Sequence, residues 1–92
     1  MHVELVSVER EVWSGEAEAV FTRTTEGEIG ILTGHAALLG QLAEGFDVRI
    51  VEQGGSEIVV NVSGGFLSVT DEGVTILAES ATLPGETETA PA

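Results

Sequence analysis

Few side chains in this 92-residue sequence are of a type and spacing that could carry out a reaction or hold a metal. Glu26 and Glu28 flank Gly27, and a carboxyl pair does acid–base work when an apolar wall lifts one pKa toward neutrality. The sequence around them offers no such wall, so they read as an exposed turn. His2 and His35 lie far apart with no third ligand near either, and cysteine is absent, so neither a structural zinc site nor a disulfide framework is expected. Ser7, Ser14, Ser56, Ser63, Ser68 and Ser80 all lie outside nucleophile-elbow patterns. Gly64-Gly65 suggests a phosphate loop, but Phe66-Leu67-Ser68-Val69 follows as a strand and not as a helix N-terminus, and no lysine exists to reach a phosphate. These glycines read instead as close backbone approach or a bulge within a strand. No catalytic residue, cofactor or metal is expected.

Charge narrows the partners. Sixteen acids against three arginines give a formal net charge of −13. That is the wrong sign for neutralising phosphates, so nucleic acid and anionic lipid are excluded as direct ligands. The acids are dispersed, as on solvated strand faces, which leaves docking on a basic partner as the functional alternative. No apolar run reaches the ~20 residues of a membrane span, and residues 1–15 carry acids where a signal peptide has a basic start, so a soluble chain without a targeting signal is expected. Small acidic sandwiches also carry lipoyl or biotinyl groups, but those need a lysine at a hairpin tip.

The elements that must position these residues are strands. A hydrophobic fraction of 42% is enough for a folded core, and the length suits one domain. Apolar residues alternate at Phe46, Val48 and Ile50, at Ile58, Val60 and Val62, and at Val74, Ile76 and Ala78. This is the period of half-buried strands. Gln53-Gly54-Gly55-Ser56 and Asp71-Glu72-Gly73 read as hairpin turns, and further strands are expected at 3–8, 17–24, 28–32 and 66–70. Trp13, ahead of Ser14-Gly15, reads as a core or edge-covering residue near a turn, with partner contact as the alternative. Residues 36–44 have helical propensity but are bracketed by Gly34, Gly40 and Gly45, so pattern alone leaves helix and extended chain equal. The segment 83–92 has two prolines and no apolar period, and is read as a short disordered acidic tail following a sandwich domain over 1–82.

Five landmarks in order, Trp13-Ser14-Gly15, Glu26-Gly27-Glu28-Ile29-Gly30-Ile31, Gly34-His35-Ala36-Ala37-Leu38, Ser63-Gly64-Gly65-Phe66-Leu67-Ser68-Val69 and Val74-Thr75-Ile76-Leu77-Ala78-Glu79, resemble the N-terminal domain of the F-type ATP synthase epsilon subunit. The resemblance covers roughly residues 2–82. It implies an all-β fold, a sandwich of about ten strands, and an extended segment at 36–42. It also implies a non-catalytic place in the central stalk, between the gamma subunit and the c-ring, peripheral to the cytoplasmic face of a bacterial membrane that it touches only through the ring.

By that resemblance Glu28 first and Glu26 second face the c-ring loops, while Ser7, His35 and Gly40 face gamma. Two departures stand out. Ala37 occupies a place where the family commonly has proline, which loosens the loop. The family usually continues into two helices that inhibit ATP hydrolysis, whereas Leu83-Pro84-Gly85 opens a tail here. Coupling without the inhibitory arm is therefore the expected role.

Overall fold

The computed structural model describes residues 1–34 and 36–82. They form seven strands: β1 (His2–Ser7), β2 (Glu11–Thr24), β3 (Gly27–Leu32), β4 (Leu38–Gln41), β5 (Phe46–Glu52), β6 (Glu57–Thr70) and β7 (Gly73–Thr82). The hydrogen-bonded order is β1-β7-β6-β5-β2-β3, closed by a β1–β2 pairing, with β4 on the flank of β6. All pairings are antiparallel except β1 with β7. The two layers of the sandwich follow from β2 and β6, which are 14 residues long and run from one sheet into the other.

A strand that changes sheets must also change which of its alternating side chains faces the core, and both long strands contain the device that permits it. In β2, Trp13 lies opposite the buried Leu5, whereas the inward residues farther on are Val20, Thr22 and Thr24. A register shift between Ala17 and Ala19 separates the two phases. In β6 the inward residues are Val60 and Val62, then Leu67 and Val69. Here the register against β7 is unbroken, and the switch occurs at Gly64 (φ 66°) and Gly65 (φ 117°). A Cβ on Gly65 would overlap the Leu77 carbonyl oxygen and lie 2.8 Å from Ala78 Cα. Close backbone approach is the role of this pair, and no bulge is involved.

The core lies between the layers. One sheet contributes Val3, Leu5, Leu67, Val69, Val74 and Ile76, and the other Val20, Ile31, Val48, Ile50, Val60 and Val62, all at 3% exposure or less. Burying each aliphatic side chain contributes roughly 1.5–3 kcal/mol, set against the entropy of ordering the chain.

Several expectations are corrected. Seven continuous strands replace the ten or so that the resemblance implies, and β2 and β6 each serve both sheets. The runs at 58–62 and 66–70 are thus a single strand. β2 begins at Glu11 and not at residue 17, so Ser14-Gly15 is mid-strand. Gly15 has no side chain because the Trp13 ring covers it, with Cη2 3.0 Å from where a Cβ would stand. The ambiguous segment is extended, with Leu38–Gln41 paired to β6. The tail expected at 83–92 lies outside the described residues.

Candidate partner-binding site

The turn at residues 24–27 joins β2 to β3. Thr24 Oγ1 accepts a hydrogen bond from the Glu26 N–H at 3.1 Å and donates to the Gly27 carbonyl at 3.1 Å. Thr25 and Glu26 keep negative φ, so the twist a tight hairpin needs is taken up by Gly27 at φ 125°. β4 braces this turn from the side. The Thr25 N–H donates to the Gln41 carbonyl at 2.9 Å, the Ala43 N–H donates to the Arg23 carbonyl at 2.9 Å, and Thr24 bridges to Leu42. Glu26 is exposed at the tip. Glu28, also exposed, sits one residue into β3, directly opposite Arg23. Both carboxylates are exposed; Glu28 borders an open hollow of about 630 Å³ that Phe21, Ile29, Arg49 and Val59 also line, and neither is buried as acid–base chemistry would require.

The residues assigned to the gamma side are placed unevenly. Ser7 ends β1 and is 7% exposed. Its hydroxyl accepts from the Glu9 and Arg10 N–H groups at 3.2 and 3.3 Å and sits 3.3 Å from the Arg10 carbonyl, so it holds the turn that displays Val8. Gly40 lies opposite the buried Leu67, and a Cβ there would meet Thr24 Cγ2 at 3.4 Å. It faces inward, against the threonine that organises the acidic turn. His35 lies outside the described residues.

Beside Ser7 and Gly40 stands a surface that pattern reading missed. Val8 is 74% exposed, Leu39 75%, Phe66 52% and Leu77 47%. Phe66 is directly opposite Leu77 across β6 and β7, Val6 lies opposite Leu77 on β1, and Gln41 opposite Phe66 on β4, so one row crosses the outer face of the sheet. A signal was present in the sequence. Phe66-Leu67 and Ile76-Leu77-Ala78 place apolar side chains on both faces of their strands, and only one face can be core. Exposed contiguous apolar surface of this kind marks an interaction site.

The remaining candidates do not assemble. His2 is held between carboxylates, with Nδ1 3.3 Å from Glu16 Oε2 and Nε2 3.6 Å from Glu4 Oε2. Among the described residues no group of three or more His, Cys, Asp or Glu side chains converges to hold a metal. No helix among them is long and apolar enough to cross a membrane.

The described residues thus form a β-sandwich with an apolar outer face and an acidic hairpin tip beside it. Its family follows from comparison with known proteins. The model of the ATP synthase delta/epsilon chain β-sandwich domain matches residues 1–84, and the chain belongs to that family. It is 55% identical over 86 residues to the ATP synthase epsilon chain of Mycolicibacterium vanbaalenii, covering 94% of this chain and 71% of that one. It is 51% identical over 92 residues to the epsilon chain of Mycobacterium tuberculosis H37Rv, covering 100% of this chain and 76% of that one.

Among solved structures, a chain of the Euglena gracilis mitochondrial ATP synthase, solved with OSCP, F1 and c-ring, superposes with a TM-score of 0.80 at 32% identity. The match covers 91% of this chain and 53% of that one. A chain of the Tetrahymena thermophila mitochondrial ATP synthase central stalk and c-ring shares the fold, with a TM-score of 0.66 at 21% identity over 88% of this chain and 64% of that one. The chain thus spans between half and two thirds of the solved chains it matches.

Proposed function

We propose that this domain is a rotor coupling piece of a proton-translocating ATP synthase, clamping the gamma shaft to the c-ring on the cytoplasmic side of a bacterial membrane. It does no chemistry of its own. The observation that carries this reading is the exposed apolar face of Val8, Leu39, Phe66 and Leu77, which docks the shaft. Ser7 and Gly40 act there through their neighbours: Ser7 holds the turn that presents Val8, and Gly40 lets β4 close on Thr24 while Leu39 faces outward. The acidic tip at Glu26, with Glu28 behind it, meets basic loop residues of the ring.

Coupling falls to the sandwich, and among the described residues there is no helix. Torque transfer suits such a body, since backbone ladders cross-link the strands and a close-packed core resists shear. Two modest interfaces on one rigid body give a joint affinity that neither reaches alone, because the second contact forms at high effective concentration. A tagged version should bring down gamma and the c-ring together from detergent-solubilised membranes. Recovery of neither would refute the rotor reading.

A further inference from the structure

At the centre of the apolar face is a cavity of about 250 Å³ whose walls include Val8, Phe66 and Leu77 and whose rim carries the carboxylates of Glu44 and Glu79. Its floor is the bare backbone of the Gly64-Gly65 crossing. A Cβ at Gly64 would stand 2.9 Å from Glu79 Oε1, and one at Gly65 has no room at all, so the Glu79 carboxylate rests against Gly64 at the edge of the hollow. The volume is below the roughly 300–1,000 Å³ of small-molecule sites and suits a single large side chain. Among the described residues the lining holds two acids and no cation.

We infer that this hollow is a socket for one large apolar side chain of the docked shaft, with a lysine or arginine beside it on the shaft reaching Glu79 and Glu44. The inference rests on the reading that this face docks the shaft. Interfaces concentrate their affinity in central, desolvated pockets of this kind, and a chain of net charge −13 associates best with a partner that brings positive charge to the rim. A second copy of the chain would bring the same two carboxylates and the same net charge, so it is the poorer occupant. The socket also gives the Gly64-Gly65 crossing a use at the surface beyond changing the core-facing phase of β6.

The test is Val8→Trp, which fills the hollow from an exposed residue outside the strands, with Gln41→Trp as a second filling variant should the first fail to fold. Phe66→Ser probes the face as a whole. Binding to the purified gamma subunit is measured by calorimetry, with circular dichroism and melting as controls for folding. Val8→Trp should weaken binding by at least about tenfold, and Glu79→Gln with Glu44→Gln should weaken it a few-fold and flatten its salt dependence. Unchanged or tighter binding by folded Val8→Trp, with Phe66→Ser still weakening it, overturns the socket and leaves the docking face standing. If neither variant changes the affinity, the docking face itself is wrong. A self-dimer that Val8→Trp dissolves in sedimentation would overturn the inference in favour of a second copy.

Discussion

Two turns of this molecule are built from nearly the same residues, Thr24-Thr25-Glu26-Gly27 and Thr70-Asp71-Glu72-Gly73, and they differ in almost everything outside themselves. Each is closed by the same local device. Thr70 Oγ1 accepts from the Glu72 N–H at 3.1 Å and donates to the Gly73 carbonyl at 3.5 Å, repeating the pair that Thr24 makes with Glu26 and Gly27. The second turn stands beside Leu32 and Thr33, at the opposite end of β3 from Gly27 and roughly 17–20 Å away. Thr24 is buried and braced by β4, whereas Thr70 is exposed. Gly27 has open space around it, whereas Gly73 is pressed against the carbonyl of His2, its neighbour in the parallel β1–β7 pairing. Acidity does not separate them either. What separates them is position: the first turn shares its end of the sandwich with the apolar face, and under the proposed function a contact there would add to docking on that face.

The largest expected effect tests the difference in crowding. Gly73→Ala should cost about 3 kcal/mol, because the added methyl must push β1 away from β7, while Gly27→Ala should cost about 1 kcal/mol from its backbone angle alone. Urea unfolding followed by circular dichroism measures both, and equal losses would mean that the two turns share one environment. Next comes charge. Reversing Glu26 and Glu28 together to lysine should lower proton-driven ATP synthesis in membrane vesicles about tenfold, an effect that salt reduces, while reversing Asp71 and Glu72 should change it less than about twofold. Equal effects of the two pairs would remove the 24–27 turn from the ring contact. The smallest difference lies in the hydroxyls. Thr24→Val should cost about 1–2 kcal/mol, since it leaves a braced, part-buried turn without its bonds, and Thr70→Val within about 0.5 kcal/mol, since water replaces what is lost. A Thr70→Val loss as large as that of Thr24→Val would show that burial is not what distinguishes the two.

Much of this fold was legible before any coordinates. The alternations at 46–50, 58–62 and 74–78 mark strands that are present, and the turns at 53–56 and 71–73 fall where Gly and Asp place them. The site was less legible. Ser7 and Gly40 themselves face inward, and the exposed apolar surface beside them belongs to Val8 and Leu39, one residue away in each case. A shift of one residue in a strand is a change of face, and no local pattern says which face is left without a neighbour. The length of β2 was also missed, because residues 11–16 alternate weakly, with Glu11, Ser14 and Glu16 around a glycine that only the Trp13 ring explains.

By itself the sequence determined the all-β class, the absence of lysine and cysteine chemistry, the strongly acidic charge and the ordered landmarks of the family. These depend on residue identity and short-range period, which need no partner strand to be read. Only the tertiary structure decided that 57–70 is one strand crossing between sheets, that Gly40 supports Thr24 from within, and that Phe66 and Leu77 meet on an uncovered face above a glycine floor. Each of those is a relation between residues distant in the chain, and it exists only once the ladders have closed. The Glu26-Gly27-Glu28 pair illustrates both levels: its residues specify a turn, as do those at 70–73, and the surrounding fold alone gives that turn β4 behind it and an exposed apolar face beside it.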